Sequence, residues 1–216
     1  MSTGRNTARF RFGAMSRRAA LTGAALAAMG ALAACGGDSG GQAAQGDMAK
    51  GAPEGAEVTV VEYASVTCGH CAQWQETVWP EFKAKYVDTN KVRFVFREFP
   101  TPPAEVAAAG FLLARCAGED RYFQVIEEIM ASQREWQQGI SPAATLSRVA
   151  TSVGLSEDEY RACITDADAL AALDERIQAG RAEGVTGTPT FFVNGTRVPD
   201  SSLQGLSAAV DAELAK

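Results

Sequence analysis

The run Val58-Thr59-Val60-Val61-Glu62-Tyr63-Ala64 is mostly apolar and ends in the small and polar residues Ser65 and Thr67, which predicts a strand. Trp74, Val78 and Phe82 then recur every four residues, as expected of a helix that begins near Cys68 and bends at Pro80. Apolar and basic residues alternate from Lys91 to Arg97 for a second strand, which Phe99-Pro100-Thr101-Pro102-Pro103 ends. From about residue 104 to residue 184 the pattern is helical, punctuated by Gly118, Ser141-Pro142, Gly154 and the capping box of Ser156 with Glu159. Phe123, Ile126 and Met130 in one segment, and Leu170, Leu173 and Ile177 in another, are expected in the core. Thr190–Val193, an Asn194-Gly195 turn and Thr196–Val198 form a hairpin, and Asp200 or Ser201 caps a last helix carrying Leu203, Leu206, Val210 and Leu214. Strand, helix, strand, several helices, hairpin, helix is an α/β order: a mixed sheet flanked by helices, with a helical insertion and no internal repeat.

The N-terminus does not share this pattern. Residues 1–34 hold Arg5, Arg9, Arg11, Arg17 and Arg18 and no acid, followed by an Ala- and Gly-rich apolar run, the pattern of a signal peptide, for which Met15 is an alternative start. Leu32-Ala33-Ala34-Cys35 followed by Gly36-Gly37 resembles a bacterial lipobox, with Cys35 as the lipidated first residue of the mature chain; the alternative is an ordinary cleaved signal that carries a cysteine near its end. Ser16-Arg17-Arg18-Ala19-Ala20-Leu21 resembles a twin-arginine export signal without the usual aromatic. Residues 35–56 are rich in Gly, Ala, Gln and Asp and read as a flexible tether, which places the folded domain at 57–216.

Without the five N-terminal arginines the chain has 15 basic residues against 26 acidic, a net charge of about −11, which speaks against nucleic acid as a partner. Export implies a compartment in which disulfides persist, so the cysteines are read as redox or structural groups before metal ligands. Cys68-Gly69-His70-Cys71 places two thiols one helical turn apart at a predicted helix N-terminus, where unpaired N–H groups and the helix dipole favour the reactive thiolate. A metal-binding module would use Cys68, His70 and Cys71, but zinc needs four ligands and only Cys116 and Cys163 remain among the soft ones, so neither metal nor cofactor is expected. Trp136, in the polar stretch from Gln133 to Gly139, is either a lip of a substrate groove or a partly buried aromatic between helices.

The Val-Glu-Tyr strand, the Cys-x-His-Cys motif and Gly187-Thr188-Pro189-Thr190-Phe191, in that order, resemble the thioredoxin superfamily, and the helical insertion at about 104–184 resembles its DsbA-like thiol:disulfide oxidoreductases. The resemblance covers roughly residues 51–216 and implies a thioredoxin-like fold with an inserted helical domain. It implies that Cys68 is the exposed cysteine that attacks or is attacked, that Cys71 is the buried partner, and that Pro189 is cis, facing the disulfide and exposing the backbone of Thr188 to substrate. Glu62 matches the family's buried acid that exchanges a proton with Cys71; the alternative is a solvated strand residue. Arg97 is either a neutralising partner for Glu62 or a plain surface arginine.

In this family the position of His70 tunes the pair by stabilising the Cys68 thiolate. Gly69-His70 matches the eukaryotic disulfide isomerases, whereas bacterial DsbA oxidases usually carry Pro-His, and Thr188 is shared with isomerase-like relatives. A Cys116–Cys163 structural disulfide is implied by relatives that have one in this region. The activity implied is donation of the Cys68–Cys71 disulfide to cysteine-containing proteins, with a reductase or isomerase kept reduced by a membrane electron donor as the alternative. A membrane redox partner, a lipid anchor at Cys35, location in the periplasm or cell envelope, and a monomer are the further expectations.

Overall fold

A computed structural model of the protein describes Ala44 and residues 46–216; the expected signal peptide 1–34, the lipidation site Cys35 and the first part of the tether lie outside the described residues. Among the described residues the sheet has five strands: β1 (Met48–Gly51), β2 (Thr59–Ala64), β3 (Arg93–Glu98), β4 (Thr190–Val193) and β5 (Thr196–Val198), in the order β1-β3-β2-β4-β5. β2 and β3 are parallel, and the other neighbours are antiparallel. The crossover from β2 to β3 contains α1 (Gly69–Thr77), α2 (Trp79–Phe82) and a π-helical turn over Lys83–Val87. The break falls at Val78 and not at Pro80 itself, because proline, which has no N–H to give, fits the first turn of the new helix. Between β3 and β4 lie α3 (Ala104–Cys116), α4 (Glu119–Ala131), α5 (Gln133–Gln137), α6 (Pro142–Ser152), α7 (Glu157–Thr165) and α8 (Ala167–Ala182), and α9 (Leu203–Glu213) closes the chain. This is the thioredoxin-like fold with a helical insertion. Among the described residues no helix is long and apolar enough to cross a membrane.

Alternation along β2 separates the two faces of the sheet. Val60 and Ala64 join the large core with Trp74, Phe82, Phe94, Phe96 and Phe191, whereas Val61 and Tyr63 join a smaller cluster with Val95, Phe99 and Phe192 on the other face. Phe123, Ile126, Met130, Leu173 and Ile177 are buried as the spacing predicts, but Leu170 is 40 % exposed. It sits in the first turn of α8, before the part of that helix whose residues Leu173, Ile177 and Gly180 are buried.

Two readings are corrected. The stretch taken as a tether contains β1, paired antiparallel to β3 from Met48 opposite Phe96 to Gly51 opposite Arg93, so the folded domain begins before residue 57. The sequence Met-Ala-Lys-Gly has little β propensity of its own, and the open edge of β3 supplies the pairing. Arg97 is neither a partner of Glu62 nor a surface residue. Glu62 pairs with Phe96 and shares its face, so the next residue, Arg97, points to the opposite face. There Arg97 is 8 % exposed and donates to both carboxylate oxygens of Asp47 (2.9 and 3.0 Å), to Glu183 (3.2 Å) and to the Tyr63 hydroxyl (2.9 Å).

Polar contacts also fix the insertion to the sheet. The buried Glu98 carboxylate, at the end of β3, accepts from Arg115 of α3 (2.6 and 2.9 Å), Arg176 of α8 (2.9 Å) and the Tyr122 hydroxyl of α4 (3.0 Å). Gly110 lets α3 approach closely, since a Cβ there would stand 2.8 Å from Val66, two residues before Cys68. A disulfide joins Cys116 at the end of α3 to Cys163 in α7. The capping box at Ser156 and the cap at Ser141 form as read, while the last helix is capped by Ser202, with Asp200 accepting from the Ser202 N–H (2.9 Å). Trp136 is half-buried against the core and donates to Thr145 Oγ1 (3.0 Å).

Candidate active site

The site sits where β2 gives way to α1. Beyond Ala64 the chain turns at Ser65, whose hydroxyl accepts from the N–H groups of Thr67 (3.3 Å) and Thr101 (3.1 Å), while Thr67 Oγ1 donates to the Thr101 carbonyl (2.8 Å). The loop after β3 thus fixes the turn that delivers Cys68. Cys68 is the N-cap of α1, in an extended conformation, and its sulfur takes the place of the usual capping oxygen by accepting from the Cys71 N–H (3.3 Å). The helix start that the sequence predicts is therefore built from the cysteine itself.

Cys68 and Cys71 are both unbonded thiols; Cys71 is fully buried, and Cys68, expected to be exposed, is itself buried at 8 % exposure, because its sulfur caps α1 and lies against the Thr188 carbonyl. Their acidities diverge sharply. The hydrogen bond from the Cys71 thiol, with further donors at Thr188, Cys71 N–H and His70 N–H, outweighs burial and lowers Cys68 to about 5. Burial, and then donation to Cys68 and the nearby Glu62 charge, push Cys71 far above an ordinary thiol. One sulfur is held as a thiolate and the other as a thiol.

From the opposite side comes the loop before β4. The Thr188–Pro189 peptide bond is cis, and the Thr188 carbonyl lies 3.4 Å from Cys68 Sγ. Thr188 Oγ1 is buried without a protein partner in hydrogen-bond range and is a donor that a thiolate at Cys68 can use. His70 is exposed on the first turn of α1, and its backbone N–H is one of the donors to the Cys68 sulfur. The structure thus brings Cys68, Cys71, His70, Thr188 and Pro189 together. Cys116 and Cys163 lie apart, in their own disulfide.

Glu62 lies beneath the pair, 4 % exposed, and with Trp74, Trp79, Phe94 and Phe96 it lines a cavity of about 20 Å³. Burial, and secondly the charge on Cys68, raise its carboxyl to about 8. A raised acid destabilises the fold once pH exceeds its unfolded value of 4.5, and the cost grows until pH 8. At pH 7 this amounts to roughly 3 kcal/mol. Glu62→Gln is therefore expected to raise the unfolding free energy of the reduced protein more at pH 7 than at pH 4, as read by urea denaturation. Equal effects at both pH values would sink this account.

One contributor carries no sequence signal. Gln133, in α5, donates through Nε2 to the carbonyls of Val66 (2.8 Å) and Cys68 (3.2 Å), so the helical insertion holds the backbone of the reactive cysteine. A glutamine in a polar stretch shows nothing of this until α5 is placed over the site. Among the described residues no group of three or more His, Cys, Asp or Glu side chains is arranged to hold a metal ion.

Comparison with known proteins agrees with this geometry. A family model described as thioredoxin matches residues 43–212. A protein of Rickettsia bellii named as a protein-disulfide oxidoreductase is 35% identical over 171 residues, covering 77% of this chain and 64% of its own length. A Rickettsia conorii protein of the same description is 37% identical over 159 residues, covering 73% of this chain and 57% of its own length. The chain thus spans less than two thirds of these relatives. Among solved structures, alpha-DsbA1 of Wolbachia pipientis superposes with a TM-score of 0.73 at 25% identity, covering 81% of this chain and 94% of that one. With the family model spanning most of its length and with inserted helices like those of DsbA proteins, this chain belongs to the thioredoxin family.

Proposed function

We propose that the protein is a thiol:disulfide oxidoreductase that donates its Cys68–Cys71 disulfide to cysteine-containing proteins. The observation that carries this reading is the division of acidity between the two sulfurs, with Cys68 near 5 and Cys71 far above it. In the oxidised protein a substrate thiolate attacks Cys68 Sγ. The Cys68–Cys71 bond breaks, and Cys71 leaves with the electron pair and takes a proton, for which the largely protonated Glu62 carboxyl is the nearby source. A second substrate thiolate then attacks the substrate sulfur of the mixed disulfide and expels Cys68. The substrate is oxidised to a disulfide, and the protein is left as Cys68 thiolate and Cys71 thiol. A low-pKa sulfur is the better leaving group, so this second displacement runs towards release of oxidised substrate. The backbone of Thr188 faces the reacting sulfur and can pair with an extended substrate segment.

The same acidity sets the direction of the reaction. A depressed thiol stabilises the reduced form; that stabilisation is complete above pH 9.0 and is lost as pH falls through about 5. At pH 7 the Cys68 thiol is ionised where an ordinary thiol is not, which favours the reduced form and makes the disulfide more oxidising. The reduction potential, equilibrated against glutathione buffers, is accordingly expected near the strongly oxidising end, about −120 mV. A value near about −200 mV or lower would assign the protein to the reductase or isomerase class, towards which Gly69-His70 and Thr188 point.

The setting is part of the proposal. Residues 1–34 direct export, Cys35 carries the lipid, and the domain works in the periplasm or cell envelope as a monomer. A membrane redox partner reoxidises it, or reduces it in the alternative reading. Retention of the chain in the membrane fraction, lost in Cys35→Ser, tests the anchor.

A further inference from the structure

Next to Gly69, the residue after Cys68, a groove of about 720 Å³ runs between α1, the end of α4 and α5. Its size is in the range that holds a drug-sized ligand, equivalent to a few residues of extended chain. Its lining is unusual for a small-molecule pocket. Gln73 and Gln75 stand on one wall and Gln137 on the other, and none of these three side-chain amides has a hydrogen-bond partner among the described residues. The two charged residues of the lining, Glu76 and Arg134, are paired with each other across the groove, so the site has no net charge to select an ionic ligand. Large apolar anchors are also lacking, since the buried Met130 is the only large apolar residue of the lining.

The groove is continuous with the reacting centre. Gly69, the residue after Cys68, belongs to its lining, and the space where a Cβ would project there is open, with nothing within 4 Å. A chain whose cysteine is bonded to Cys68 can therefore cross Gly69 into the groove without meeting a side chain. Gln133 lies at the same end, with its Nε2 already committed to the Val66 and Cys68 carbonyls.

We propose that this groove takes an extended, unfolded segment of the substrate protein next to the cysteine being oxidised, held through its peptide groups by the amides of Gln73, Gln75 and Gln137. A side-chain amide offers two N–H donors and a carbonyl acceptor, the complement of a peptide group, and pairs with any sequence. A folded protein has its backbone groups already paired, whereas an unfolded chain presents them free. The amide lining thus selects for conformation and not for sequence, as an oxidant of many unfolded proteins requires. This deepens the oxidoreductase reading and rests on it.

The test compares two reductants of the oxidised protein: a reduced, unfolded protein, which can occupy the groove, and dithiothreitol, which is too small to span it. The variants are the double substitution Gln73→Ala with Gln137→Ala, and Ala131→Trp, which fills the groove from an exposed position of its wall. Each is expected to lower the rate with unfolded protein relative to that with dithiothreitol on the order of tenfold, through KM, as the loss of two or three hydrogen bonds gives. A ratio unchanged in both variants, or a fall of equal size with both reductants, overturns the groove. A wild-type protein that oxidises neither reductant overturns the oxidoreductase reading and this proposal with it.

Discussion

Replacing Cys71 by serine is expected to turn the protein into a trap. Incubated with an unfolded protein that carries disulfides, Cys71→Ser accumulates mixed disulfides through Cys68, because the thiolate still attacks but no neighbouring thiol remains to displace the bound substrate. Cys68→Ser forms none, and its disulfide exchange falls to the uncatalysed level. The buried Cys71 sulfur cannot replace it, being both fully covered and held protonated. The same position also reports on the electrostatics. The Cys71 thiol is the leading cause of the low Cys68 pKa, so in Cys71→Ala, which has no side-chain donor, the thiolate absorbance is expected to titrate at a higher pH than about 5, yet below the ordinary 9.0 because the backbone N–H at position 71 still donates. Non-reducing electrophoresis and an ultraviolet titration measure the two effects. Equal adduct formation by Cys68→Ser and Cys71→Ser, or none by either, would refute the assignment of roles.

The second large effect concerns stability. The Cys116–Cys163 bond closes a loop across a sequence separation of 47, and opening it in Cys116→Ser with Cys163→Ser is expected to cost about 4 kcal/mol in the chain-entropy account. For a domain of this size that corresponds to a fall of roughly 10 °C in Tm. The loss should be felt first in the helical insertion, where α3 and α7 lose their covalent link, and only through it at the active site, by way of Gln133. Thermal unfolding of the variant beside the native protein decides this. A change of a degree or two would mean that structure retained in the unfolded chain already restricts the loop, so that the bond removes little entropy from it.

How much of this was legible in the sequence depended on how local each feature is. The Cys68-to-Cys71 spacing, the helix start, the Ser156 capping box and the Asn194-Gly195 turn each arise from residues within a few positions of one another, and the structure contains them all. The alternation of β2 placed Glu62 among apolar neighbours, and its burial follows from that pattern. The family resemblance supplied the cis bond at Pro189, which no local pattern encodes.

What the sequence left undecided involves partners distant along the chain. β1 is a strand only because β3 offers it an edge, and Arg97 is buried only because Asp47, from before β1, and Glu183, from the end of α8, converge on it. The approach of Thr188 to Cys68 joins residues 120 apart, and the hold of Gln133 on the Cys68 carbonyl joins residues 65 apart. By itself the sequence determined the order of elements from β2 onward, the Cys-x-x-Cys motif and the helix end at which it sits, because dihedral preference, periodicity and capping are short-range. Only the tertiary structure decided which edges pair, which charges are buried together and what surrounds the two sulfurs, because burial and hydrogen bonding act between surfaces that meet only once the chain has folded.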